Sequence, residues 1–260
     1  MKQTKIMMDM PITVEIVDNS AAEKDLKKIF AYFDYIDNKF STFKNSSEIT
    51  KINQGKLRRD NYSQDMQTLL ALAAITKKET NGYFDIQQKG KLDPSGVVKG
   101  WAINESAKLL TRAGFRNFYI EAGGDIQVSG KNQDGESWKI GIRNPFSTGE
   151  IVKALVFSHN EGVATSGTYE RGLHIYNPKT QKPVKEIVSL TVIGPDIYEA
   201  DRFATAAFAM GRGGIYWIEK MPGLEGYLID SQGMATFTSG FGKYVLVLDH
   251  GITGDSKEAS

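Results

Sequence analysis

Two apolar periodicities divide this chain, and their order along it fixes the fold class. Leu26, Ile29, Phe30, Phe33, Ile36 and Phe40 recur at the spacing of one helix face, and Ser20 with Glu23 forms an S-x-x-E capping box ahead of them. A second helix is expected after Ser63, with Met66, Leu69, Leu70 and Ala73 on one face and Asn81-Gly82 as its stop. A third should run over 97–112 and halt at Gly114. Between the first two, the polar run F-S-T-F-K-N-S-S-E-I-T-K-I-N leads into a short element. Residues 12–17 read as an opening strand. From Phe118 onward the period changes to two: Phe118 and Ile120, then Trp138, Ile140 and Ile142, imply strands with one buried face. Gly123-Gly124, residues 132–135 and Asn144-Pro145 supply turns between them. Further strands are expected near 154–158, 162–166, 173–176, 187–193, 226–229 and 234–238, with 201–210 the one helix among them. Helices that do not alternate regularly with strands exclude a doubly wound sheet. The chain is therefore α+β, with mixed, largely antiparallel sheets and flanking helices. One domain over 1–250 followed by a polar tail at 251–260 accounts for the whole sequence.

Composition narrows the function. With 40% hydrophobic residues in 260, the chain can bury a substantial core. Lys and Arg number 32 against 31 Asp and Glu, so nothing in the global charge calls for nucleic acid. No apolar run approaches the ~18 residues needed to cross a bilayer, so no membrane insertion is expected. The opening M-K-Q-T-K-I-M-M-D-M-P lacks the apolar stretch of a secretory signal. There is no cysteine, which removes disulfides, thiolate metal sites, a cysteine nucleophile and a lipobox-type anchor. These features together predict a cytoplasmic protein.

Four segments carry candidate chemistry. In A-D-R-F-A-T-A-A-F-A-M-G, residues 200–211, Asp201 and Thr205 stand four apart on what reads as the first turn of a helix. A carboxylate and a hydroxyl on one face suit a hard cation such as Mg²⁺, although such a pair alone is more often a cap and a surface residue. D-P-S-G-V-V-K-G-W-A, residues 93–102, is a turn running into a helix. There Asp93 can accept hydrogen bonds, Gly96 permits close backbone approach and Lys99 brings a cation beside anionic oxygen. E-A-G-G-D-I, residues 121–126, closes a strand with a glycine turn that would let backbone approach a ligand. T-S-G-T-Y-E-R-G-L-H-I-Y-N-P-K-T, residues 165–180, holds His174, the one histidine inside a motif; His159 and His250 read as surface residues. Upstream lies N-G-Y-F-D-I, residues 81–86.

In this order, over about residues 10–240, these segments resemble the ApbE family, the FAD:protein FMN transferases. The resemblance implies two lobes around a flavin cleft. It also implies Mg²⁺-dependent transfer of FMN from FAD to a Thr or Ser hydroxyl of a partner flavoprotein, through a phosphoester bond and with release of AMP. Mg²⁺ would be held by the Gly96 carbonyl, the Asp201 carboxylate and the Thr205 hydroxyl. FAD would be held by Asp93 and Lys99, and by Tyr83, Phe84 and Asp85 of the family's G-x-F-D-I segment. Phe43, Met10, His174 and Ile175 complete the flavin site by their places in the pattern. His174 and Asp201 stand as the catalytic residues, with the hydroxyl proton left open between His174 and a carboxylate next to the metal. For Phe43 and Phe84, core packing is the ordinary alternative.

The chain departs from the family pattern at several points. Arg202 and Phe203 replace the middle pair of A-D-A-L-A-T, and Pro11-Ile12 follow Met10 where the family has M-G-T. Asn177 and Gln181 replace Asp and Gly in H-I-x-D-P-x-T-G. Gln87 runs directly to Leu92 where many members insert a few dozen residues, which predicts a more open flavin pocket. The same residues would serve an Mg²⁺-dependent FAD pyrophosphatase giving FMN and AMP. A non-catalytic FAD-binding protein is the third reading, and an unrelated α+β domain the fourth.

Overall fold

The computed structural model describes residues 1–88, 90–168 and 175–246. The chain opens with β1 (Lys2–Met7), β2 (Met10–Ile16), α1 (Glu23–Phe40), α2 (Glu48–Asn53), α3 (Gln64–Glu79), the short β3 (Gln87–Gln88) and β4 (Lys91–Leu92), and α4 (Ser95–Arg112). It continues with β5 (Phe118–Ala122), β6 (Asp125–Ser129), β7 (Trp138–Arg143), β8 (Ile151–Phe157), β9 (Glu161–Gly167), β10 (Tyr176–Asn177), β11 (Lys182–Pro183) and β12 (Ile187–Gly194). The last elements are α5 (Ile197–Ala209), α6 (Gly213–Ile218), β13 (Glu225–Asp230) and β14 (Ala235–Phe237). Eight strands form one sheet in the order β1-β2-β5-β6-β9-β12-β13-β14, and every neighbouring pair is antiparallel. The α+β reading holds. Among the described residues no helix is long and apolar enough to cross a membrane.

Strand alternation splits the apolar residues between two cores. Ile12, Val14, Phe118, Ile120, Leu190 and Val192 face the helices, where Phe33, Ile36, Trp101, Ile103, Phe203 and Phe208 meet them. On the other face, Val128, Val163, Ile193 and Ile229 pack under the β7–β8 hairpin through Ile140, Ile142 and Phe157. The strict alternation of β7 (Trp138, Ile140 and Ile142 buried; Lys139, Gly141 and Arg143 exposed) is what lets a two-stranded hairpin lie flat on that face.

The six predicted apolar positions of α1 are all buried. Its start is corrected. Ala22 rather than Ser20 caps the helix, and the Ala22 N–H donates to Asp25 Oδ2 at 2.9 Å, so the reciprocal acid sits two residues later than Glu23. Ser63 caps α3 as expected, accepting from the Met66 N–H, and Asn81 and Gly82 turn the chain out of it at φ of 50° and 77°. β1 was not foreseen: as an edge strand that is exposed over Lys2–Ile6, it has no apolar face to make it alternate. The predicted strand at 173–176 falls partly outside the described residues, as do His250 and the tail. His159 is exposed as predicted.

The helix bearing Asp201 also begins earlier than predicted, and α6 is a second helix in the region where one was expected. Asp196 caps α5, accepting from the Glu199 N–H at 3.0 Å, which places Asp201 in the second turn. The sheet seats this helix through two residues that face each other across β6 and β9. Buried Gln127 accepts from the Ile197 N–H at 2.8 Å, and its partner in register, Gly162, leaves room for the helix backbone. A Cβ on Gly162 would lie 2.1 Å from Ile197 N and 2.3 Å from the Asp196 carbonyl carbon. Backbone cannot swing away as a side chain can. Gly162→Ala should therefore destabilise the protein by about 2 kcal/mol or more, read from urea unfolding, while Gly135→Ala in an open turn should cost less.

Candidate functional site

α4 and α5 meet through two pairs of residues at helical spacing. Gly96 and Gly100 on α4 face Thr205 and Asp201 on α5. A Cβ on Gly100 would fall 2.7 Å from Asp201 Cβ, and one on Gly96 would fall 3.3 Å from Thr205 Cγ2. Glycine on one helix thus admits the functional side chains of the other. Asp201 is 5% exposed, and its Oδ2 accepts from the Gly100 N–H at 2.8 Å. In an α-helix that N–H would be engaged by the carbonyl four residues back, which is Gly96. Asp201 competes with that carbonyl for the Gly100 donor.

A second acid completes the pocket. Asp125, the first residue of β6, is 1% exposed. Its Oδ1 accepts from the Thr165 N–H at 3.2 Å, and its Oδ2 lies 2.6 Å from Lys99 Nζ. Burial and the adjacent Asp125 push the Asp201 carboxyl up to about 8, against the pull of Lys99 and the Gly100 N–H. Two buried carboxylates facing one lysine are an environment that favours a further cation. The other donors predicted here are oxygens as well, so the set suits a hard ion such as Mg²⁺. Among the described residues no three His, Cys, Asp or Glu side chains form a metal cage. An ion held here would depend on few protein ligands and on oxygens of its substrate.

Of the predicted flavin residues, Asp93 and Phe84 meet the head of α4, and the others have separate surroundings. The Asp93 N–H donates to the Ile86 carbonyl at 2.7 Å and its Oδ1 accepts from the Ser95 N–H at 3.0 Å, so it ties the segment at 83–86 to the head of α4. Phe84 is a core residue whose ring edge would lie 3.2 Å from a Cβ on Gly96. Tyr83 is half-buried under Lys179 Nζ, 4.1 Å from the ring centroid, and Asp85 pairs with Lys77 at 2.6 Å. Ile175 is half-buried against the main core, and its carbonyl accepts from the Val184 N–H. Met10 borders the β5–β6 turn, where a Cβ on Gly123 would lie 2.9 Å from its Sδ. Phe43 does not pack in the core; it is 88% exposed between α1 and α2. His174 lies outside the described residues.

Beyond the β5–β6 turn, on the hairpin side of the sheet, a cavity of about 220 Å³ opens between Glu121, Gly123, Gly124 and Thr165 and the strand β7. Thr165 therefore borders the cavity while its N–H holds Asp125. Sequence reasoning valued E-A-G-G-D for its glycines and missed the carboxylate. The available signal was parity: Asp125 and Gln127 are polar residues at the helix-facing positions of a strand.

The fold defines a class of α+β protein seen in solved structures. The ApbE protein of Thermotoga maritima superposes with a TM-score of 0.84 at 20% identity, covering 95% of this chain and 99% of that one. A family model described as the ApbE family matches residues 8–89 and 86–228, and the chain belongs to that family. The FAD:protein FMN transferase of Haemophilus influenzae is 26% identical, across 88% of this chain and 87% of the relative. The FAD:protein FMN transferase of Salmonella typhimurium is 30% identical, across 61% of this chain and 48% of the relative.

A raised carboxyl pKa has a definite consequence for the metal-free protein. The folded state holds the Asp201 proton that the unfolded chain releases near pH 4, so stability falls as pH rises from about 4 towards 8. Asp201→Asn removes this loss and keeps an acceptor for Gly100. In metal-free buffer the melting temperature of Asp201→Asn should exceed wild type by a margin that grows between pH 4 and 8. Mg²⁺ should narrow the margin by stabilising wild type alone. A margin independent of both pH and Mg²⁺ would exclude a cation at this pocket.

Proposed function

We propose that this chain is an Mg²⁺-dependent FAD:protein FMN transferase, acting as a single domain over residues 1–250. The observation that carries the reading is the interlock of Gly96 and Gly100 with Thr205 and Asp201, beside Asp125 and Lys99, at the N-terminal end of α4. Asp201, Thr205 and the Gly96 carbonyl are the residues that would hold Mg²⁺. When bound, the ion neutralises charge on a pyrophosphate and favours departure of AMP.

The chain's own residues supply the remainder. Asp93 organises the entry to α4, whose N-terminal amides carry partial positive charge towards a bound anion. Lys99, anchored beside Asp125, adds a full positive charge at the same end. Phe84 closes the floor next to Gly96, and Tyr83, Asp85 and Ile175 border the place for the flavin. Met10, Phe43 and His174 join them on the strength of the family pattern. The acceptor's Thr or Ser oxygen bonds to the FMN phosphorus as the bridging P–O bond breaks, and AMP leaves. His174 or a pocket carboxylate takes the hydroxyl proton. The nucleophile arrives on another protein, so the absence of a cysteine is no obstacle.

Hydrolysis of FAD to FMN and AMP would use the same pocket with water in place of the acceptor. Incubation with FAD and Mg²⁺, with and without an acceptor flavoprotein domain, separates the two. Transfer should give a protein band whose flavin fluorescence survives denaturation, with one AMP per label, and replacing the acceptor hydroxyl residue by Ala should abolish it. Release of free FMN alone, with every acceptor tried, would favour the hydrolase. Asp201→Ala should lower the rate by about a hundredfold or more and Thr205→Val by about tenfold, since the neutral ligand contributes less charge.

A further inference from the structure

Arg202 follows Asp201 directly and points the other way, into the contact between α5 and the end of α3. Its side chain is 7% exposed, yet its two carboxylate partners are not deeply buried: Glu79 is 42% and Glu199 27% exposed. Nη2 donates to Glu199 Oε2 at 2.6 Å, and Nη1 reaches both Glu79 Oε2 and, at 3.2 Å, Thr76 Oγ1. The guanidinium lies over the Phe203 ring at 3.9 Å and within 5.3 Å of the Tyr198 ring centroid. Burying a guanidinium costs solvation that its ion pairs only partly offset, and an apolar side chain of similar size is often as stable. Net stability is therefore a poor reason for this residue. Register is a better one.

The contacts form a closed path. From Glu79 the chain passes to Thr80, fully buried, whose Oγ1 donates to the Thr76 carbonyl at 2.8 Å and accepts from the Phe84 N–H at 3.0 Å. Phe84 abuts Gly96, and Gly96 abuts Thr205, one turn along α5 from Arg202. The fork of Arg202 thus fixes α3 against α5, and the turn at 80–84 carries that position to the wall of the pocket. We propose that Arg202 is a positioning residue for flavin binding, locking the 80–85 turn against the face of α5 that bears Asp201 and Thr205. The flavin part rests on the transferase reading; the mechanical part does not.

Arg202→Met and Arg202→Lys test both parts. In Arg202→Met the glutamates keep access to water, so the melting temperature should stay close to wild type. Amide hydrogen exchange at 80–86 should rise by about tenfold or more while exchange in β5 and β12 is unchanged. The dissociation constant for FAD in Mg²⁺, measured by flavin fluorescence titration, should rise by about tenfold or more. Arg202→Lys, which can reach one glutamate at a time, should fall between the two. A folded Arg202→Met with wild-type exchange at 80–86 and wild-type FAD affinity overturns the proposal, as does a uniform loss of protection with unchanged affinity. If exchange at 80–86 rises but wild-type protein binds no FAD, the positional lock stands and the transferase reading falls.

Discussion

The contact between Gly100 and Asp201 is the constraint from which the site follows. A carboxyl group only 5% exposed needs a hydrogen-bond partner, and Asp201 finds one in a backbone N–H inside another helix. Only a residue without a Cβ lets Asp201 approach that amide, because a methyl group would sit 2.7 Å from its own Cβ. The close approach brings the whole of α5 down on α4, so Thr205 reaches Gly96 one turn away. Asp201 and Thr205 are thus brought against α4 by helix packing, without any loop having to be ordered for the purpose.

Electrostatics then explains why the pocket is not self-sufficient. Asp125 arrives from the sheet, held by the Thr165 amide and Lys99, and its charge bears on Asp201 in a space with little water. A protein built only for stability would replace one acid with an amide or an apolar group. Retaining both makes Asp201 hold a proton beside the Asp125–Lys99 pair, and an entering cation would take the place of that proton. The same lysine lies near the head of α4, so under the proposed function one pocket would serve a cation and a phosphate together.

Much of this was legible in the sequence because it depends on spacing. The α1 stripe from Leu26 to Phe40, the stop at Gly114 and the shared helix face of Asp201 and Thr205 are all local signals, and each is found, although Asp201 lies a turn further into its helix than expected. What was not legible depends on approach between segments distant in sequence. Asp125 looked like part of a hairpin turn until β6 was paired with β9 and its side chain fell on the α5 side. The capping of α1 shifted because Asp25 could reach the Ala22 amide, a competition between two nearby acids that pattern alone does not decide. The exposure of Phe43 was likewise invisible, since an aromatic residue in a polar loop gives no sign of whether a core lies beneath it.

The two halves of the site are supported by different kinds of structure, and this bears on how the protein can vary. α5 rests on a continuous antiparallel sheet, pinned at its first turn by Gln127 and seated over Gly162, so the donors it carries are as rigid as the sheet. The 83–86 segment has no such base. It hangs between the end of α3 and the head of α4, secured by Thr80 on one side and by Asp93 on the other. Its position relative to α5 is therefore set by side chains, Arg202 among them, rather than by strand pairing. Substitutions in the sheet would act on folding as a whole, whereas substitutions around Thr76, Glu79 and Arg202 can move the 83–86 segment while Asp201 and Thr205 stay in place. Under the proposed function, recognition of the organic part of the ligand would in this way be mechanically separable from the binding of the ion.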